Sequence, residues 1–397
     1  MLHQLPKAAA PAPLATTGPS ATVALSELRQ AAAHLGRVVL RWNLVPVQAC
    51  VRIRLAEGKI TLDATDTDMA LTLELEAQTT GAADLVVSHR ALAGFLRAAR
   101  GPVVLTYLAG EADNRLRLSD GEIEVTLKLT IPPEDFPRPF EDLDRDWLAA
   151  EPQFTLSGAQ ALRLLDLGRS CISREETRYY LNGTYLCAKP DTGTLRAVST
   201  DGHRMAVIDC EVPACFHSEL SDDPSGIILP VRAVDLLLAL ARKSGNAALQ
   251  IHASDRHLVL RSAGLQLITR GIDGTYPDYT RVVPAPSDAL IAHLSTAALT
   301  RLRTIASATT SGHSLPLRLA PGAGRMSLAT GEGDEISAQL QGHVTEEGLT
   351  VTISLRLLSE LSRIAPAFTL TCAGRGDPAR IATEDPDALW VLMPMRD

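Results

Sequence analysis

The sequence predicts an α+β protein built from three copies of one domain, each with two helices packed on antiparallel sheets. Three observations lead there. A strand–turn–strand pattern occurs three times, and helical periodicity flanks each occurrence on both sides. The whole plan recurs about every 130–140 residues, an ordinary domain size.

The hairpins are expected in KITLDATDTDMALTLELEA from Lys59, TLRAVSTDGHRMAVIDCEV from Thr194 and RMSLATGEGDEISAQLQGHV from Arg325. Each has two alternating runs around a small polar turn, which pleated, half-buried strands require. The six helical segments are 26–42, 88–101, 157–178, 231–244, 295–313 and 354–365. Ser26, Ser88, Ser157, Ser295 and Ser354 stand where N-caps are expected. Two connectors rich in Pro, Asp and aromatic residues, IPPEDFPRPFEDLDRDWLAAEP and GTYPDYTRVVPAPSD, separate the copies. The expected domains are 21–148, 149–284 and 285–397. Residues 1–20, rich in Ala and Pro with one charge, are expected to be a disordered tail.

Composition narrows the class. With 46% hydrophobic but only 4% aromatic residues, the cores must be aliphatic. Cys50, Cys171, Cys187, Cys210, Cys215 and Cys372 form no C-x-x-C pair, so they read as small core residues in a reducing compartment. No apolar run of membrane-spanning length occurs, and a soluble cytoplasmic protein is expected. No G-x-x-x-x-G-K-[ST] loop is present, so no ATP hydrolysis is expected.

The net charge of −8 is unevenly placed. The six helical segments hold seventeen Arg/Lys against six Asp/Glu, a net +11, which leaves −19 for the rest. Helices gathered on a common concave face would offer a basic lining with an acidic exterior. Such a surface attracts a polyanion by its phosphates, without reading sequence.

Four motifs then resemble one family. ISREETRYYLNGTYL (172–186), LRAVSTDGHRMAV (195–207), DGTYPDYTRVVP (273–284) and WVLMPMRD (390–397) resemble the bacterial DNA polymerase III β subunit, the β sliding clamp. LVPV, ITLDATDTDMAL and PPEDFPRP extend the resemblance through the first copy. The resemblance implies three DNA-clamp domains per subunit and a head-to-tail homodimeric ring around duplex DNA. It implies a processivity factor without catalytic activity, cofactor or metal. Its implied partners are double-stranded DNA, the polymerase III catalytic subunit, an ATP-dependent clamp loader and clamp-motif peptides of repair and translesion polymerases.

The resemblance also implies site residues. A partner-peptide pocket would use Leu181, Thr200, Gly202, His203, Arg204 and Met205. Pro277, Arg281 and Val282 would join it from the second connector, and Val391, Leu392, Met393, Pro394, Met395 and Arg396 from the tail. Arg204, Arg281 and Arg396 are expected to rim the pocket and bond to peptide carbonyls or an acidic end. Arg41, Arg174, Arg178, Tyr179 and Arg196 would contact DNA. Trp42 stands where the family commonly has a basic residue. The segment IASATTSGHS (305–314) lacks the bulky apolar pair usual where the ring closes, and Asp397 replaces a final apolar residue. These departures fit a divergent second clamp.

Two other classes are open to the residues. Asp63, Asp66 and Asp68 carry the donor types for a divalent metal and phosphoester hydrolysis. Ser199 and His203 have the types, though no third member, of a nucleophile pair. A hub that binds partners but does not encircle DNA is the remaining alternative.

Overall fold

A computed structural model describes residues 18–40, 45–110, 113–149, 152–189, 193–212, 226–245, 247–309, 315–329, 335–361 and 364–395. The chain forms two compact units, residues 1–150 with 259–269, and residues 151–258 with 270–397.

The first unit contains helices α1 (Leu25–Val38), α2 (His89–Ala98) and the short α3 (Arg145–Ala149). α1 buries Leu28, Ala31, Leu35 and Val38, and α2 buries Leu92, Phe95 and Leu96. This three-and-four spacing puts one apolar stripe on each helix. One antiparallel sheet orders its strands as 78–80, 20–23, 103–108, 115–119 and 124–128. A second places Met69–Glu76, Lys59–Thr65, Cys50–Ala56 and Ala83–Ser88 side by side. Segment 259–269 adds a strand beside Met69–Glu76, with Leu265 opposite Leu73 and Thr269 opposite Met69.

The second unit contains α4 (Gly158–Asp166), α5 (Val231–Ala241), α6 (Thr296–Thr309) and α7 (Leu355–Leu361). Its nine-stranded sheet runs 227–230, 183–189, 194–200, 204–211, 388–392, 379–382, 367–372, 290–295 and 341–344. The join is Arg204–Glu211 against Ala388–Leu392, so the second and third copies share one continuous sheet. Four further strands, 335–339, 325–329, 316–320 and 351–354, form a separate sheet. The buried core is aliphatic, as the low aromatic content requires, with Trp390 and Phe154 its largest fully buried side chains.

All three predicted hairpins form. They pair from Lys59↔Glu76 to Thr65↔Ala70, from Thr194↔Glu211 to Thr200↔Met205, and from Arg325↔Gln339 to Ala329↔Glu335. The first two tips match atom for atom. Thr65 Oγ1 accepts from Thr67 N (3.0 Å) and donates to Met69 O (2.7 Å). Thr200 Oγ1 accepts from Gly202 N (3.1 Å) and donates to Arg204 O (2.7 Å). Asp66 Oδ1 accepts from the amides of Asp68 and Met69, and Asp201 Oδ1 from those of His203 and Arg204. The tip of the third hairpin, 330–334, lies outside the described residues.

The helices are shorter than their periodicity predicts. The expected helix over 157–178 ends at Asp166 and gives way to a 3-10 turn at 169–171 and a kinked 3-10 stretch at 176–181. Gly168 favours the stop, and it is packed so closely that an added Cβ would sit 3.2 Å from Ser199 Oγ. Ile172 beyond it is extended. Of the five expected N-cap serines, Ser157 makes a full capping box with Gln160. Ser26 lies inside α1, whose cap is Ala24, and Ser88 caps α2 without a side-chain bond. The Ser354 hydroxyl, just before α7, is buried without a hydrogen-bond partner.

Arg163 on α4 makes two hydrogen bonds to the Asp385 carboxylate (2.8 and 2.6 Å) and one to the Asp209 carbonyl. That hydrogen-bonded guanidinium holds the Asp385 carboxyl below its usual value of 3.8. A depressed carboxylate stabilises the fold above its unfolded pKa, and that contribution is lost as pH falls through the folded value. Acid unfolding monitored by circular dichroism should therefore steepen below about pH 4. Asp385→Asn should lower stability at pH 7 and flatten that acid limb.

A second prediction comes from the matched tips. Gly202 has φ +86°, and Thr67 at the same point of the first hairpin has φ +83°. A β-branched residue is strained there, by about 1–3 kcal/mol. Thr67→Gly should stabilise the protein by about 1 kcal/mol in urea titration, because glycine's unfolded-state entropy offsets part of the relief. Gly202→Thr should destabilise it by at least as much.

Candidate functional site

The second hairpin, the second connector and the C-terminal strand converge in the second unit. Leu181, Met205 and Val391 share one apolar cluster with Tyr185, Val198, Val207, Ile228, Tyr276 and Tyr279. Register explains the meeting, since Met205 lies opposite both Thr200 and Val391, and Arg204 opposite Leu392. The strand is fixed at both sides of its end. Met393 N donates to His203 O (2.8 Å), Met395 N donates to Thr352 O (2.8 Å), and Trp390 Nε1 donates to Leu167 O (3.3 Å).

Tyr276 lies over Tyr185 with ring centroids 4.9 Å apart and planes within 9°. Its hydroxyl donates to Val198 O, and burial raises its pKa far above the ordinary phenol value. Pro277 follows this anchor directly and is exposed. The Asp278 carboxylate accepts from Thr280 N (3.1 Å), which turns the chain so that Tyr279 also points inward.

Leu181, Met205, Val391 and Leu392 are closed into the core. Burying each is worth about 1.5–3 kcal/mol, so these four expected pocket residues serve the core and are not open to solvent. The apolar side chains that reach solvent here are Tyr179, Val282 and Met393, at 53%, 50% and 39% exposure. Each is next to, or two residues from, a residue packed in the cluster: Tyr180, Val283 and Val391. His203, Gly202, Pro277 and Arg281 are also exposed, while Thr200, Pro394 and Met395 are half-buried. Arg396 lies outside the described residues. Sequence reasoning missed the aromatic pair Tyr185 and Tyr276, although the TYPDY motif carried the signal.

Arg204 is not the free rim cation expected. It is 8% exposed and is held by Asp201 Oδ2 (3.0 Å) and by Glu360 of α7. Burial opposes its charge most strongly, yet the bonds to Glu360 and Asp201 keep its pKa above the usual guanidinium value. Cys171 beside this network is fully buried, which pushes its thiol up to about 12 despite the opposing Arg204 charge. The five described cysteines are all buried free thiols, and Cys215 lies outside the described residues.

The proposed DNA-contact residues divide. Arg196 donates twice to Asp209 (2.6 Å each) and leans on Tyr279, so its charge is already matched within the fold. Burial works against that charge, and the Asp209 and Tyr279 bonds outweigh it, raising its pKa. Arg178 pairs with Glu175 at 3.0 Å. Arg174 and Tyr179 are exposed. Arg41 and Trp42 lie outside the described residues.

The catalytic alternatives lose their residues to the fold. Asp66 serves its hairpin turn, while Asp63 accepts from Arg54 and Thr72. Among the described residues no group of three or more His, Cys, Asp or Glu is arranged to hold a metal. Ser199 is 1% exposed and shares a 2.9 Å hydrogen bond with Thr184. No described helix is long and apolar enough to cross a membrane.

Repeated helix-backed antiparallel sheets, with an apolar and aromatic cluster packed on the last strand, define the class of scaffold. Residues 158–278 match the family model of the DNA polymerase III beta subunit, central domain. The chain is 26% identical over 385 residues to the beta sliding clamp of Caulobacter vibrioides, covering 94% of this chain and 99% of that one. Against the Pseudomonas aeruginosa beta sliding clamp it is 26% identical over 373 residues, covering 90% and 95%. The solved C. crescentus beta sliding clamp with bound polyethylene glycol superposes with TM-score 0.84 at 25% identity, over 96% and 100% of the two chains. The Bartonella birtlesii DnaN sliding clamp bound to griselimycin gives TM-score 0.82 at 26% identity, over 95% and 99%. Family model, relatives and solved structures together support a bacterial DNA polymerase III beta subunit, a β sliding clamp.

Since Arg204 is buried between two carboxylates, Arg204→Ala should cost about 2–3 kcal/mol of stability by removing their shared buried partner. Chemical denaturation of the variant measures this. A stability unchanged within 0.5 kcal/mol, roughly the size of an ordinary surface substitution, would contradict it.

Proposed function

We propose that the chain acts as a sliding clamp: a processivity factor that tethers a DNA polymerase to duplex DNA and has no chemistry of its own. Three domains over 21–148, 149–284 and 285–397 would close head to tail with a second copy into a ring. The observation that carries this reading is that the likeness to clamps spans 94% of the chain, so all three repeats are included. The basic balance of the helical segments supports a phosphate-facing inner surface. Polymerase III catalytic subunit, loader and repair polymerases would dock by apolar peptides over the Leu181, Met205 and Val391 floor. In that role Tyr179, Val282 and Met393 present the side chains a peptide meets first, with His203 and Arg281 beside them.

Ring closure is tested by sedimentation. The protein should run as a dimer, and processive synthesis on primed circular DNA should require an ATP-driven loader. A monomer that retains peptide binding would favour the non-encircling hub. Docking is tested separately with exposed positions that leave the core intact. Val282→Asp or Met393→Asp should weaken polymerase or peptide binding at least about tenfold, because a charge must be desolvated in an apolar contact. Melting temperature and dimerisation should stay unchanged.

A further inference from the structure

A charged cavity of about 1030 Å³ opens beside the second hairpin tip, within the second unit. His203 lies on its wall, and the same residue's carbonyl holds Met393 of the docking face. His203 is thus common to the cavity wall and the proposed docking face.

The wall charges almost all answer one another. Asp166 pairs with Arg242, and Asp235 with Arg169. Glu175 pairs with Arg178, while Asp201 and Glu360 hold Arg204, with Arg356 also on Glu360. Two arginines of the wall, Arg174 and Arg303, take part in none of these pairs. Both are exposed and so are free to meet a ligand from solvent. Every wall carboxylate is thus occupied, and the uncompensated charge is positive.

We propose that this cavity receives an acidic side chain, Asp or Glu, flanking the apolar anchor of a docked partner peptide, with Arg174 and Arg303 as its partners. The inference rests on the docking reading above. A carboxylate suits the site because guanidinium forks bind it with two parallel hydrogen bonds, and because His203 joins the cavity wall to the docking face. It assigns Arg174 to a partner carboxylate in place of the DNA phosphate that the family resemblance implies. The two arginines would act as selectivity elements, distinguishing acidic from neutral partners that share one anchor.

The test uses two fluorescent peptides with the same Leu-Phe anchor, flanked on both sides by Glu-Glu or by Gln-Gln. Anisotropy with the full-length protein at low salt should show the Glu peptide binding about tenfold tighter. Raising salt to 0.5 M should shrink that gap to about twofold. Arg303→Gln should reduce the preference, and Arg174→Gln with Arg303→Gln should abolish it. The Gln peptide's affinity for Arg303→Gln should match that for the unaltered protein.

Equal binding of both peptides, or a preference that survives the double variant, would overturn the proposal. So would a double variant that loses duplex DNA affinity yet keeps the Glu preference, since the arginines would then serve phosphates. Val282→Asp separates the two readings. If neither peptide binds, or Val282→Asp leaves both affinities intact, the docking reading fails and takes this proposal with it. If both bind and Val282→Asp weakens both, only the Glu preference is at stake.

Discussion

The antiparallel pairing of Ala388–Leu392 with Arg204–Glu211 is the contact on which the second unit depends. It merges the sheets of the second and third copies, and it places Val391 against Met205 to complete the apolar floor. It also carries Asp385 to Arg163 and leaves Arg204 within reach of Glu360. Backbone hydrogen bonds set this register, and a slip of one residue would turn Val391 away from the floor. A run as apolar as ALWVLMPM would be an aggregation hazard if unpaired. Pairing buries most of it, leaving Met393 exposed.

Internal repetition raises the question of why the first copy lacks the same apolar floor. Counting from the matched tips gives the answer. Where the second hairpin has Val198 opposite Val207, the first has Asp63 opposite Thr72. Where the neighbouring strand has Tyr185 and Cys187, the first copy has Arg52 and Arg54. Phe136-Pro137 still stands in the place of Tyr276-Pro277, and a groove of about 410 Å³ persists there. Its wall, however, sets Arg54 bonded to Asp63, and Arg52 bonded to Asp84 behind it, among Leu71, Phe140 and Ile268. The first copy's groove is therefore part charged where the second copy's cluster is apolar and aromatic.

Much of this was legible in the sequence, because it depends on neighbours. Hairpin existence follows from alternation over about seven residues, and the Thr-Asp tips bond within four positions. The docking cluster was legible only through motif resemblance, since its members lie far apart in the chain. The ion pairs were not legible at all. Arg204 meets Glu360 across 156 residues, and Arg163 meets Asp385 across 222. An arginine quoted in a motif does not say whether a distant carboxylate already holds it.

That same blindness corrects the charge argument. The helical segments do carry an excess of arginine, but counting residues overstates the field they project. Arg163, Arg169 and Arg242 each pair with an aspartate, so their charge largely cancels at the distance of a ligand. What reaches solvent is set by the arginines left over, and they are unevenly distributed. In the wall beside His203 the surplus narrows to Arg174 and Arg303. On the docking proposed above, specificity would rest less on total charge than on which few charges the fold leaves unanswered. A floor that accepts any apolar anchor needs such residues to tell one partner from another.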